Sequence, residues 1–365
     1  MRAGRPSVAV IGAGILGASA AYHLARAGAA VTVFDRAPAV ASGVTAHAFG
    51  WVGAAADDPS KRPELFRFRL NALSEYDRLG DALQGKLVRH ARGALIWKGE
   101  PEATARLVDD QTKAGFETQL VSARDLAKLE PGIATPPQAA LFAKSDFAVD
   151  PVALTRTLIS AAQEAGAQLR CGQRVVRVEA SGGRPKVVIE DSDRVTVDWA
   201  VLANGIEAAA MARSLGIDLA LECRPAVLVR LASHPPCLSK IVCGPDLEIR
   251  QALDGSLIAA ECMPKNGEAG LPGLARDVAT AAQRVLGLDR TPEIVSCKAG
   301  YRAIPDHGFP VCGLLPGMPG CYVMVAHPGV ILAPYLGRVA AAEIMHESPA
   351  DDLAAASFRR LFGTA

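Results

Sequence analysis

The chain has little of several things, and each shortage excludes something. Charge of one sign is the first: 39 Lys and Arg against 38 Asp and Glu leave a formal net charge of +1 over 365 residues. A protein that tracks a phosphate backbone, or grips a membrane surface by a polybasic patch, needs a cationic excess. Paired cysteine is the second. The eight cysteines fall at 171, 223, 237, 243, 262, 297, 312 and 321, and no two have the Cys-x-x-Cys spacing of a zinc or redox site. A chain this long needs no covalent staples, so free thiols, no metal and a reducing, cytoplasmic setting are expected. Long apolar runs are also missing, so no bilayer span is expected. The uncharged stretch from Ser7 to Ala25 has the look of a signal peptide, but glycines and His23 interrupt it and a nucleotide motif explains it better. Aromatics are scarce at 5% (Trp 3, Tyr 5, Phe 10), which makes the place of each one informative.

What is present is a large core. Half of the residues are hydrophobic and 21% are charged, which excludes disorder. The length favours two domains.

Val8 to Ile11 is a short β-branched run of the kind that forms a buried parallel strand. Gly12-Ala13-Gly14-Ile15-Leu16-Gly17 follows, then an Ala- and Leu-rich stretch to Ala27 that reads as a helix closed by Gly28. A second β-branched strand, Val31 to Phe34, ends at Asp35, about 20 residues past the motif. Each part has a physical task. Gly12 permits the tight turn, Gly14 lets backbone approach a pyrophosphate, and Gly17 lets the helix pack close to the strand. The helix N-terminus, with Ile15 and Leu16 in its first turn, offers free N–H groups to phosphate. Asp35 can accept from a ribose hydroxyl. The fingerprint binds a dinucleotide without choosing between FAD and NAD. No second such unit occurs, so one dinucleotide site is expected.

Further along, amphipathic helices are read over 63–79, 101–115, 123–129, 151–165 and 274–286, and a long one over 329–346. Strands are read over 87–97, 175–179, 186–190, 195–197, 198–203, 225–231, 247–251, 257–261 and 322–325. Asp254-Gly255 marks a hairpin turn. A βαβ start is thus followed by an antiparallel middle and a return to strand and helix.

Several segments resemble the D-amino acid oxidase, glycine oxidase and sarcosine oxidase superfamily of FAD enzymes. They are the fingerprint with Asp35-Arg36, Ala41 to Trp51, Leu129-Glu130-Pro131, Val149-Asp150-Pro151, Val201 to Gly205, Gly300-Tyr301-Arg302-Ala303-Ile304-Pro305, and Ala326-His327-Pro328-Gly329 through Pro334. The family usually has proline where Ala303 stands and glycine where Ala326 stands.

This resemblance implies an α/β (mixed α+β) fold, with a Rossmann-like FAD-binding domain interleaved with a substrate domain on an antiparallel sheet. The expected boundaries are 1–80, 140–215 and 300–365 for the first, and 81–139 and 216–299 for the second. FAD would be held by Gly12, Gly14, Ile15, Leu16, Gly17, Asp35, Arg36, Ser42, Gly43, Thr45, Ala46, His47, Val176, Ala203, Asn204, Gly205, Arg302, His327, Gly329, Val330, Ile331 and Leu332. Arg302 stands where the family receives a substrate carboxylate, a task suited to a planar guanidinium fork. Tyr301 and Tyr322 are candidate hydroxyl donors, with core packing as the competing fate.

His47, in Gly43-Val44-Thr45-Ala46-His47, fits covalent flavin attachment as in one branch, a noncovalent flavin or substrate contact, or packing. In another branch a cysteine carries the flavin; the matching position here is Ala299, with Cys297 two residues away. Asp306 and His307 lie in a turn whose own chemistry explains them. The activity implied is oxidation of the C–N bond of an amino acid or N-alkyl amino acid, with hydride passing to flavin N5 and hydrolysis of the imine. The electron acceptor would be O2, a quinone or a carrier. Three alternatives remain: a 2-hydroxy acid oxidase or dehydrogenase, a flavin subunit of a multi-component enzyme, and a nicotinamide enzyme. Homo-oligomerisation or partner subunits are left open. Phe49, Trp51, Tyr301 and Tyr322 are the expected pocket walls.

Overall fold

A computed structural model describes residues 5–191, 194–233 and 235–345. The opening βαβ unit forms as its spacing requires. β1 (Ser7–Ile11) and β2 (Ala30–Asp35) run parallel, with Val8 opposite Val31 and Ile11 opposite Phe34. α1 (Ile15–Arg26) crosses between them. The other neighbour of β1 is the parallel strand Trp199–Leu202, and beyond it lies Cys321–Val325. Gln168–Cys171 extends the sheet past β2, and Val311–Leu314 closes its far edge antiparallel. Apolar side chains are buried on both faces, which is why these strands read as unbroken hydrophobic runs. The chain leaves β1 towards β2 on one side and returns to it from Trp199–Leu202 on the other. A ligand crevice belongs at the carboxyl ends on either side of such a reversal.

The final helix, Gly329–Ile344, packs on α1. Ser19 Oγ donates to the Ala333 carbonyl at 2.6 Å, and Gly337 lies where any Cβ would overlap Ser19. The expected end at His346 lies outside the described residues. Pro334 sits inside this helix, past its first turn. Its missing N–H therefore leaves the Val330 carbonyl without the usual i+4 donor. Tyr76, on α2 (Pro63–Ala82), replaces that donor: its hydroxyl gives a 2.6 Å bond to the Val330 carbonyl and is fully buried. Tyr76→Phe would strand this carbonyl, at a cost of about 1–3 kcal/mol. A fall of a few degrees in Tm, read by scanning calorimetry, is expected; an unchanged Tm would show that the helix closes over the proline unaided.

A second sheet has eight strands, in the order Ile294–Pro305, Leu221–Ser233, Ser256–Cys262, Glu248–Gln251, Ile241–Cys243, Ala94–Ile96, Ala139–Ala143, Gln119–Ser122. All neighbours are antiparallel except Ile241–Cys243 with Ala94–Ile96. The boundaries expected at 139/140 and 299/300 each cut a strand of this sheet. The strand expected over 87–97 shrinks to Ala94–Ile96, because Ala91 (φ 45°) and Gly93 (φ 96°) turn the chain. The long strand Ile294–Pro305 escaped the pattern reading; its first half does not alternate, with Ile294 and Val295 both exposed. Val175–Ser181, Arg184–Ile189 and Arg194–Thr196 form the expected meander. Asp150 caps the helix Pro151–Glu164, its Oδ1 accepting from the N–H groups of Val152 and Ala153 at 2.9 Å. None of the eight cysteines is in a disulfide. No helix among the described residues is long and apolar enough to cross a membrane.

Candidate active site

The carboxyl ends of β1, β2 and Trp199–Leu202 bring the glycine motif together with Asp35 and Asn204. Gly12 adopts φ 104°, and a Cβ there would lie 2.6 Å from the Ala203 carbonyl oxygen and 2.9 Å from Asn204 Cα. The Ala203 N–H donates to Ile11, and Gly205 turns the chain away at φ 63°. Gly17 lies directly over the Gly12 carbonyl, leaving no room for a side chain. Gly14 caps α1 with no side-chain partner, so the N–H groups of Leu16 and Gly17 have no acceptor within the helix. Thr45 Oγ1, buried, accepts from Ile15 N at 3.2 Å and lies 3.2 Å from where a Gly14 Cβ would be. The Asp35 carboxylate accepts from Ala13 N (2.7 Å) and Ala37 N (2.8 Å). This uses two of about four acceptor positions and fixes the turn.

Asn204 Oδ1 is buried with no hydrogen-bond partner among the described residues. An uncapped helix start, a glycine cradle and an orphaned amide oxygen fit a dinucleotide. Arg36 pairs with Glu207, Ser42 Oγ donates to the Ala39 carbonyl, and Val176 is exposed on its strand.

The second cluster lies where one face of the eight-stranded sheet meets the Gly43–Trp51 segment. Opposed residues in an antiparallel pair share a face. Gly300 pairs with Ala226 and Arg302 with Arg224, so all four look the same way. A Cβ on Gly300 would lie 2.8 Å from His47 Cβ. This fixes the face: it looks onto the short helix Val44–His47, whose buried residue is Thr45 and which carries Ala46. Arg302 Nε donates to the Arg224 carbonyl (3.2 Å) and Nη2 to the Pro225 carbonyl (3.3 Å). Its Nη1 lies 3.5 Å from His327 Nε2. No carboxylate among the described residues pairs with this guanidinium.

His327 is pushed down to about 4, by burial first and then by Arg302, Arg69 and Arg224. It is neutral at ordinary pH and can accept from Arg302. Burial and Lys298 lower His47 as well. Pro328 caps the final helix with no side-chain bond, so the N–H groups at Val330, Ile331 and Leu332 start a free, electropositive end. Gly329 stands 3.8 Å, by its virtual Cβ, from Ile15 Cγ2. Two uncapped helix starts thus lie side by side.

Two expected pocket walls are corrected. Tyr322 is fully buried in the core, and its hydroxyl bonds to Glu343 and Cys312. Glu343 is near the far end of the final helix, roughly 20 Å from its start at 1.5 Å per residue. Tyr301 alternates to the opposite face from Arg302, is 48% exposed, and donates to Glu268. Ala299 and Cys297 share that opposite face, and Cys297 Sγ contacts the Leu271 carbonyl, away from His47.

Phe49 and Trp51 belong to the segment that faces the sheet. The Arg250 guanidinium stacks on Phe49 at 5.2 Å, and Trp51 Nε1 donates to Asp146 at 2.7 Å. His307 Nδ1 accepts from Phe309 N, as turn chemistry suggested.

Two residues were missed. Arg250, 2% exposed, donates from Nε to the Phe49 carbonyl (2.7 Å) and sits 2.9 Å by Nη1 from His90 Nε2. Glu248 shares its face and is held up at about 7, by burial first and by Glu261, against the pull of Arg302. Both lie on a strand that alternation finds, but only register reveals which way they point.

The fold and the two clusters define a dinucleotide-dependent enzyme. The chain belongs to the FAD-dependent oxidoreductase family DAO, whose model matches residues 7–343. Its cofactor is FAD and it is an oxidoreductase. It is similar to glycine oxidase of Bacillus licheniformis, 26% identical with 92% of each chain covered. It is also similar to an opine oxidase subunit of Rhizobium meliloti, 23% identical with 96% of each covered. The crystal structure of glycine oxidase from Geobacillus kaustophilus matches with a TM-score of 0.85 at 21% identity, over 99% of this chain and 100% of that one.

Proposed function

We propose that this enzyme oxidises the C–N bond of an amino acid or N-alkyl amino acid whose carboxylate is received by Arg302. The observation that carries this reading is a half-buried guanidinium bonded to two carbonyls, beside a neutral imidazole, with no carboxylate partner among the described residues. Its fork would make two charge-assisted bonds to a carboxylate and fix the direction of the adjacent C–N bond. Bound FAD supplies the two-electron acceptor. Gly12, Gly14, Gly17, Asp35, Thr45 and Asn204 would hold its dinucleotide end. The start of the final helix would favour negative charge at the reactive end. Arg302, Arg224 and Lys298 together disfavour a further cation nearby, which lowers the substrate ammonium and favours the neutral amine required for oxidation. Lost to water, that proton needs no side-chain base, and the imine then hydrolyses. His47, against Gly300, is read as a wall of this pocket.

The test is anaerobic loss of the visible flavin band with a panel of amino and N-alkyl amino acids set against the matching 2-hydroxy acids. Bleaching by amines supports the proposal; bleaching by hydroxy acids alone overturns it. A second reading, a flavin subunit needing partners, is favoured by the similarity to an opine oxidase subunit. It requires that the isolated FAD-loaded chain be reduced by none of them.

A further inference from the structure

We infer that Glu248 receives a second, cationic group of the substrate, so that the preferred substrates are amino acids with an ammonium or guanidinium at the end of the side chain. The inference rests on the reading of Arg302 as the carboxylate site.

Register places the two charges on one floor. Arg302 opposes Arg224, Gly300 opposes Ala226, and Lys298 opposes Leu228. Ala226 in turn opposes Cys262, and Leu228 opposes Ala260. Ile249 opposes Ala259, so the same register carried on by one residue sets Glu248 beside Ala260. Glu248 therefore faces the same side as Arg302, in the row of Lys298: three strands across, roughly 14 Å at about 4.8 Å per strand, and four residues along, roughly 13 Å more at about 3.3 Å per residue.

Between them the floor is made of Gly300, Ala226, Cys262 and Ala260. His47 and Val44 cover Gly300, while Ala226, Ala260 and Cys262 are small and only partly covered, which leaves room above that part of the floor. Arg302 and Glu248 feel each other electrostatically but are not an ion pair. Glu248 accepts no hydrogen bond from any described residue, although burial and Glu261 both oppose its ionised form.

A carboxylate in such surroundings is costly unless a cation meets it. The separation is too great for the α-amino group of a substrate held by Arg302. It suits the far end of an extended side chain. The arrangement thus presents a cation at one end of a small-residue trough and an anion at the other.

The experiment compares lysine with norleucine, and arginine with citrulline, in both enantiomers, as anaerobic reductants of the FAD-loaded chain. Norleucine keeps the carbon chain of lysine and citrulline the length of arginine, and each pair differs in the terminal charge. The cationic member is expected to reduce the flavin at least about tenfold more efficiently, the value of one well-placed charge-assisted contact. In Glu248→Gln, which keeps the side-chain volume and removes the charge, that ratio should fall to within about twofold of one.

Binding gives an independent readout. Perturbation of the flavin spectrum should report tighter binding of 6-aminohexanoate than of hexanoate, and Glu248→Gln should abolish the difference. Equal use of the two members of each pair, a preference for the neutral member, or an unchanged ratio in the variant overturns the inference and leaves the carboxylate site intact. Reduction by no amine at all overturns the parent reading, and this one with it.

Discussion

Arg302→Met is expected to lower kcat/KM for carboxylate-bearing amines by about 10²–10³-fold. Truncating one partner of a desolvated, hydrogen-bonded charge pair costs about 2–5 kcal/mol, which sets that range. The reason is local. Arg302 spends two of its bonds on the Arg224 and Pro225 carbonyls, and these orient the plane of the fork. Methionine keeps an apolar stem of similar bulk and loses both the charge and the fork. Lysine restores the charge as a point but cannot reach two oxygens at fixed angle, so it recovers only part of the loss. The loss should be confined to substrates that carry the carboxylate. Simple amines without one should be turned over by the variant and the parent within a few-fold of each other. Steady-state kinetics on both classes checks this; a drop of under threefold for the carboxylated class would remove Arg302 from the site.

Gly12→Ala should strip the protein of FAD. The residue stands at φ 104°, which costs a side-chain-bearing residue of order 1–3 kcal/mol. The new Cβ would also press on the backbone of Ala203 and Asn204, at 2.6 and 2.9 Å. Backbone cannot rotate aside as a side chain can, so the ends of β1 and Trp199–Leu202 must part. Those ends form the cradle. Strain of that size carried into binding weakens affinity about 5–150-fold. The ratio of visible flavin to protein absorbance in the purified variant should fall accordingly, while far-ultraviolet circular dichroism stays that of the parent. Full retention of FAD would show that the loop has slack that the close approach denies.

The nucleotide end was legible because its physics is local. Gly12, Gly14, Gly17 and Asp35 lie within one βαβ unit, and the contacts of Gly12, Gly17 and Asp35 are with backbone in their own neighbourhood. The reactive end was legible only in part. Arg302 and His327 could be placed by resemblance, and they do lie together. Tyr301 could not be oriented, because a single residue of strand register decides which face it takes. Its neighbour Arg302 turns inward, so it turns out to Glu268. Tyr322 looked like a pocket residue by proximity in sequence to the last motif. The strand it belongs to is buried on both sides, and its hydroxyl is taken by Glu343.

Glu248 and Arg250 fell on an expected strand, but nothing in the sequence gave their facing. Their strand is short, and its facing depends on pairings with Ser256–Cys262 and Ile241–Cys243 that no local pattern encodes. Pro334 shows the same limit from the other side. That a proline falls within the final helix was readable, but the distant Tyr76 hydroxyl that makes it tolerable was not.

The most direct test is reduction of the isolated, FAD-loaded chain without oxygen. The account predicts that an amino acid or N-alkyl amino acid bleaches the visible flavin band and that the corresponding 2-hydroxy acid does not. Bleaching by the hydroxy acids alone, with every amine inert, would contradict it.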